Sequence, residues 1–484
     1  MTTRNKTMSR TDLLLEQVRS GAVGMTRREQ IELTARLAIP SILAQISTII
    51  MEYIDASMVG HLGASESASI GIVATTTWLF WGLGSAVATG FSVQVAHRIG
   101  ARDSADARNV LRQAFASCLF WGLLLCVIGV AISWQLPYWL GGTEDICHNA
   151  TLYFLVFALM MPFTELTFMM SGMLRCSGNI KVPSLLNVLM CGLDVVFNFF
   201  FIFPTREISV FGLDISMPGI GLGVMGAALG TLCAEVITAS LLFYFLCYRS
   251  MHLRIFGRRR IEPFIWSSFI PTRRVLLRAV KIGMPIACER VIMCGAQITT
   301  TRIVAPLGKF AIAANAFGVN AESLCYMPGY GVADAATTLV GQSIGAKRQD
   351  LAWRFASITV TMGVAVMSLM GLLMYIGAPL VMEIMSPVEE IVSLGASALR
   401  IEAFAEPMFA ASIVCYGVFV GAGDTLIPSG INLSAIWAIR ITLAVVLAPV
   451  MGLNGVWLAM CIELNIRGIL MLWRLKTKRW LKNS

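Results

Sequence analysis

The chain has 484 residues, of which 57% are hydrophobic and only 13% charged, with a net charge of +9. Globular domains average about 25% charged residues, so a water-soluble fold is excluded. The basic residues sit in short stretches between apolar runs, which points to lipid headgroups and excludes nucleic acid as the partner.

Residues 1–35 are polar, mixed in charge and without the apolar core of a signal peptide. Met25 would also serve as a start, so the first 24 residues are expected to be a loose extension of little function. Twelve apolar runs follow, at 36–58, 68–95, 113–134, 150–173, 182–204, 221–247, 281–304, 312–338, 355–377, 395–420, 428–450 and 454–473. Runs of roughly 20 residues match the 30 Å or so of hydrocarbon that a helix must cross. Residues 36–247 read as a first six-helix lobe, 248–280 as a basic linker, 281–473 as a second lobe and 474–484 as a basic tail. The expected fold is an all-α polytopic membrane protein with twelve transmembrane helices.

Alternate loops carry the Lys and Arg residues. Arg98, Arg102, Arg108 and Arg112 follow span 2, Arg175 and Lys181 close span 4, and Lys347, Arg348 and Arg354 follow span 8. The other loops are neutral or acidic, with Glu66, Glu144, Asp145, Glu389 and Glu390. The positive-inside rule then puts both termini in the cytoplasm.

An internal repeat organises the chain. A shift of 245 residues carries Pro40 onto Pro285, Gly63 onto Gly308, Gly100 onto Gly345, Pro162 onto Pro407, Gly172 onto Gly417 and Asn187 onto Asn432. After span 5 the shift falls to 229, where Gly223 and Gly226 meet Gly452 and Gly455, so the first lobe has 16 extra residues around Thr205 to Pro218. Each half has an even number of spans, so the two lobes run parallel, related by a pseudo-two-fold axis along the membrane normal. Prolines repeated in both halves predict bends common to both lobes.

Four segments carry a resemblance. Asp55-Ala-Ser-Met-Val-Gly60-His-Leu-Gly63 closes span 1, and Leu339-Val-Gly-Gln-Ser-Ile-Gly-Ala346 closes span 8. Gly417-Val-Phe-Val-Gly-Ala-Gly-Asp-Thr425 joins spans 10 and 11, and Gly452-Leu-Asn-Gly-Val-Trp-Leu-Ala459 opens span 12. From about residue 28 to 480 the sequence resembles the multidrug and toxic compound extrusion (MATE) transporters. Val420 stands where the family pattern has Arg, while the first half keeps its counterpart, Arg175. Phe409 stands where one sodium-coupled branch has Asp; Glu406 is the nearest acidic substitute.

Charged groups inside a membrane are costly and need a reason. Those within apolar runs are Asp55, Glu165, Asp194, Glu235, Glu289, Glu322, Asp334, Glu402 and Glu406. Asp194 and Asn198 are four residues apart on span 5 and face one way, with Asn187 seven residues earlier. In the proton-coupled relatives that this sequence resembles, an Asp at the place of Asp55 belongs to the coupling site. Asp55, Asn187, Asp194 and Asn198 are therefore the expected cation-coupling site. Glu289, Glu322 and Glu406 are the candidates for a second-lobe cation or substrate site. Glu322 is expected on the cleft, Asp334 beside a loop Arg, and Glu402 and Glu406 on one face of span 10 with Arg400 to neutralise one of them.

The resemblance implies a secondary antiporter, working as a monomer in the plasma membrane (the inner membrane of a Gram-negative cell). It would export small amphipathic molecules, mostly organic cations, in exchange for protons or sodium. No cofactor is expected beyond that ion, and no metal site beyond sodium. Twelve cysteines, mostly in apolar runs, show no CxxC or metal-ligand spacing. There is no phosphate-binding P-loop and no HExxH or Gly-Ser nucleophile, so an enzyme is not expected. The alternative is a flippase for lipid-linked saccharides, which would need Arg and Lys within the spans. The in-span charges here are nearly all acidic.

Overall fold

A computed structural model describes residues 9–20, 24–210, 213–256 and 266–482. Arg258, Arg259 and Arg260 of the basic linker lie outside the described residues. All twelve spans are helical, span 10 in two segments. Spans 1 to 6 are Arg27–Gly60, Ala64–Gly100, Ser104–Ser133, Glu144–Cys176, Lys181–Ile202 and Gly223–Arg249. Spans 7 to 9 are Arg273–Val304, Lys309–Gly345 and Gln349–Met385; span 10 is Glu389–Glu402 with Glu406–Ala422; spans 11 and 12 are Leu426–Met451 and Leu453–Thr477.

The helices outrun the apolar stretches, and side-chain caps start two of them, spans 1 and 3. Span 1 begins well before its apolar run, at a reciprocal cap in which Thr26 and Glu29 each bond the other's backbone N–H. Among the described residues nine helices are long and apolar enough to cross a membrane, and the bent pair of span 10 makes a tenth. Spans 7 and 8 complete the twelve. They are 32 and 37 residues long but carry more polar side chains, because they pack against spans 1 and 2 of the other lobe.

Each lobe buries its own core. Phe91, Val110, Cys118, Met169 and Leu242 meet in the first, and Met374, Met382, Leu399, Leu453 and Trp457 in the second. Cysteines thus serve as small core side chains here. The extra residues of the first lobe form a hairpin, Pro204–Val210 paired antiparallel with Leu213–Ile220.

The pseudo-two-fold is visible in reciprocal contacts. A Cβ on Gly100 would collide with the backbone of Gln342, and a Cβ on Gly345 with the backbone of His97. Each of these pairs is the other shifted by 245 residues. Only glycine lets the two chains cross so closely. Arg102 and Lys347, again repeat mates, both turn with positive φ, of 62° and 58°. These crossings lie at the end of the molecule that carries the basic loops, and there the lobes are closed upon one another.

Two sequence expectations are corrected. Pro162 lies inside an unbroken helix, whereas Pro407 opens a new segment after a 60° bend, so this repeated pair does not give a common bend. Proline at the first turn of a helix loses nothing, because its missing N–H would have no partner there. Among its described residues the N-terminal extension is no loose tail. Arg10–Ser20 is a helix whose Leu14, Leu15 and Val18 are fully buried against second-lobe residues such as Leu339 and Phe355.

Candidate functional site

In the first lobe the fold gathers Asp55, Asp194 and Asn198. The Asn198 side-chain amide donates to Asp55 Oδ1 at 2.9 Å and to Asp194 Oδ2 at 3.0 Å. Helical spacing aims both span 5 side chains at the C-terminal part of span 1. Span 6 admits them because residue 230 is glycine; a Cβ there would collide with Asn198 Oδ1. Asp194 and Asn198 are wholly buried, and Oδ1 of each takes no hydrogen bond among the described residues. Two carboxylates on one amide repel each other, and a positive charge bound among them relieves that repulsion.

Asn187 does not join this cluster. It donates to the Ala44 carbonyl at 3.1 Å and to Thr48 Oγ1 at 2.9 Å, tying span 5 to span 1 deeper in the lobe. Glu165 and Glu235 are buried elsewhere in the first lobe; Gly84 and Gly122 make room for Glu165.

In the second lobe Glu289 accepts from Tyr416 Oη at 2.8 Å and Asn432 Nδ2 at 2.7 Å. Tyr416 also lies 3.2 Å from Ser429 Oγ. Glu322, Glu402 and Glu406 are buried inside the lobe rather than on the cleft. Glu402 ends the first half of span 10 and Glu406 starts the second, so no continuous helix face unites them. Both carboxylates lack hydrogen bonds among the described residues. Arg400 turns away from them, donating to the Tyr375 carbonyl at 3.3 Å and lying over its ring.

Nearby is a network that the span-by-span reading passes over. Glu463, fully buried, is held by Arg440 at 2.7 Å and by Arg467 at 3.1 Å. The four-residue spacing of Glu463 and Arg467 was the available signal. Arg440 gave none, because it lies where span 11 widens into a π-helical turn, Ile436–Ile441.

Between the lobes lies a chamber of about 340 Å³. Its floor is a pair that crosses the lobes, with Arg175 of span 4 donating to Asp334 of span 8 at 2.8 Å. Ser41 of span 1 donates to the same Asp334 oxygen, also at 2.8 Å. The repeat mates of this pair are Val420 and Thr89, so one ion pair stands where symmetry offers two places. The departure at Val420 is thereby matched at Thr89: Val420 packs with Ala86, Val93 and Ile286. Among the described residues no three His, Cys, Asp or Glu side chains converge as a metal site.

Residues 40–200 and 285–446 match the family model described as MatE. The chain is 25% identical to the multidrug resistance protein NorM of Burkholderia vietnamiensis, covering 92% of this chain and 93% of that one. It is 22% identical to a probable multidrug resistance protein NorM of Thermotoga maritima, over 93% of both chains. Among solved structures it resembles the outward-facing conformation of a multidrug resistance MATE family transporter, with a TM-score of 0.83 at 21% identity over 97% of this chain and 99% of that one. It also resembles a MOP superfamily transporter of Pyrococcus furiosus, with a TM-score of 0.84 at 20% identity over the same shares of each chain. The latter is described as having a binding pocket of reversed polarity that suggests a different function.

Proposed function

Because this chain belongs to the MATE family of small-molecule transporters, and is no enzyme, we propose that it is an antiporter that expels amphipathic drugs or metabolites in exchange for protons or sodium. The reading places it in the plasma membrane, the inner one in a Gram-negative cell, as a monomer with its basic end and both termini cytoplasmic.

One observation carries the coupling site: the single amide of Asn198 joins two carboxylates, Asp55 and Asp194, in an otherwise apolar bundle. A proton or sodium ion bound there changes the charge between spans 1 and 5, and span 1 also packs on span 8 of the other lobe. Cation and substrate then favour different arrangements of the lobes, and binding one shifts the population away from the other. Glu289, Glu322 and Glu406 are the second-lobe candidates, Glu289 being the one whose partners join three spans, 7, 10 and 11.

The resemblance implied a mostly cationic cargo. In the chamber the one acid is Asp334, already held by Arg175 and Ser41. The cationic part of an amphipathic substrate therefore meets aromatic walls such as Tyr330 and Phe168.

The test is efflux of a fluorescent dye from proteoliposomes under an imposed proton or sodium gradient, for the wild type and Asp55→Asn. Proton-driven efflux lost in the variant supports the first-lobe site. Efflux driven only by sodium and indifferent to Asp55 moves the coupling site to Glu289 and Glu406. No movement under either gradient refutes antiport.

A further inference from the structure

Three charged side chains line the inter-lobe chamber, and two of them, Arg175 and Asp334, cancel. The third is Arg290 of span 7, which makes no hydrogen bond or ion pair among the described residues. Its neighbour Glu289 forms no ion pair with it: both Glu289 oxygens are directed instead at Tyr416 and Asn432, from which they accept. The arginine stem is seated on the opposite lobe: a Cβ on Gly82 of span 2 would come within 2.9 Å of Arg290 Cγ. Its head is thus kept at the chamber.

The other polar groups of the wall have largely spent their protons. Ser85, Thr89 and Ser92 donate to carbonyls of their own helix, at 3.0, 2.6 and 2.9 Å. Thr337 donates to the Gly417 carbonyl and Thr338 to that of Arg175. Among the described residues the unspent donors include the Arg290 guanidinium and the side-chain amide of Gln45, with the Tyr330 hydroxyl beside them. Gln45 and Arg290 are repeat mates, 245 residues apart, and face one chamber from equivalent positions of the two lobes.

We propose that Arg290 and Gln45 form an anion subsite between the lobes that takes the carboxylate of an amphipathic substrate. This rests on the export reading above and narrows its cargo to molecules with an acidic group, zwitterions included. The guanidinium fork matches a carboxylate in two hydrogen bonds, and the amide adds a third donor from the other lobe. The chamber lies in the range of small-molecule sites, roughly 300–1,000 Å³. A substrate held by both lobes at once also stabilises one particular lobe arrangement, which is what alternating access requires of its cargo.

The experiment is equilibrium binding, by fluorescence polarisation, of a carboxyl-bearing rhodamine and of its methyl ester to the purified full-length protein. Arg290→Gln should weaken binding of the acid about tenfold or more while the ester stays within about twofold, since charge-assisted bonds are roughly twice as strong as neutral ones. Arg290→Lys should restore part of the loss, and Gln45→Leu should weaken the acid alone by a smaller factor. Equal loss of acid and ester, or an acid indifferent to Arg290→Gln, overturns the subsite, as does a wild type that prefers the ester. No gradient enters this assay. Acid-selective binding without gradient-driven transport would sink antiport and keep the subsite; transport of both dyes unaffected by Arg290→Gln would do the reverse.

Discussion

Asn432 donates its side-chain amide to Glu289 Oε1 at 2.7 Å, across a separation of 143 residues. Its repeat mate Asn187 donates across the same 143 residues to the backbone carbonyl of Ala44, at 3.1 Å. One frame, used twice, thus holds a carboxylate in the second lobe and a bare carbonyl in the first. The acid of the first lobe, Asp55, lies eleven residues further along span 1, about 16 Å at 1.5 Å per residue. The two lobes therefore carry their acidic sites at different depths.

That asymmetry predicts unequal costs for one substitution. Asn432→Leu leaves a carboxylate short of a donor, a loss of about 1–3 kcal/mol. Asn187→Leu leaves Ala44 with a carbonyl that still accepts from Thr48, so the loss should stay near 1 kcal/mol. Thermal unfolding of the two purified variants should show the larger drop for Asn432→Leu. Equal drops would mean that Glu289 gains nothing from Asn432.

Gly230 is predicted to matter through Asn198. A methyl group at 230 cannot fit beside Asn198 Oδ1 unless the side chain turns or span 6 withdraws. Either way the amide leaves Asp55 and Asp194. Gly230→Ala should therefore lower gradient-driven efflux at least about tenfold, as should Asn198→Ala, with a stability change of only about 1–3 kcal/mol, the usual cost of overpacking. Retained efflux in Gly230→Ala would detach the amide bridge from coupling.

Much of this was legible beforehand, for identifiable reasons. The 245-residue shift gave the lobes, because glycines and prolines with fixed backbone duties recur in register. The four-residue spacing of Asp194 and Asn198 gave their common face. The chamber was not legible, because its walls exist only once the lobes dock. Gln45 and Arg290 are ordinary polar residues until span 1 and span 7 enclose one space. The break in span 10 was hidden by an apolar run that continues through it. The N-terminal helix was hidden by its polarity: only Leu14, Leu15 and Val18 give it a buried stripe, too narrow to stand out among charged neighbours.

That N-terminal helix straps the lobes together at the basic end. Arg19 donates to Gln342 Oε1 of the second lobe at 3.1 Å and to the Ser177 carbonyl of the first at 3.0 Å. Glu16 accepts from Arg102, and the Gln17 carbonyl accepts from Arg348, the turns that follow spans 2 and 8. Removing residues 1–24 should free the crossing at Gly100 and Gly345. Amide hydrogen exchange at Ile99 to Asp103 and at Ile344 to Arg348 should rise at least about tenfold, since such opening is set by local stability. Unchanged exchange would show that the glycine crossing closes this end unaided.

The strap should also respond to pH through His252. The ring lies at the edge of the linker, with Nε2 2.7 Å from Arg19 Nη1. Arginine can only donate, so Nε2 accepts and the ring is neutral, its proton on Nδ1. Burial, and then the Arg19 charge, hold His252 down to about 4 from its ordinary 6.5, against a weaker upward pull from Asp12. With the helix docked, His252 resists protonation; with the helix released, it titrates normally. Docking is thus at full strength above about 6.5 and is progressively lost as pH falls toward about 4, because the released state binds the extra proton. Exchange protection of Arg10–Ser20, corrected for intrinsic rates, should fall across that window. His252→Gln keeps an acceptor for Arg19 but cannot titrate, so its protection should stay flat. A wild type as flat as His252→Gln would show that the contact with Arg19 does not govern how tightly the helix is held.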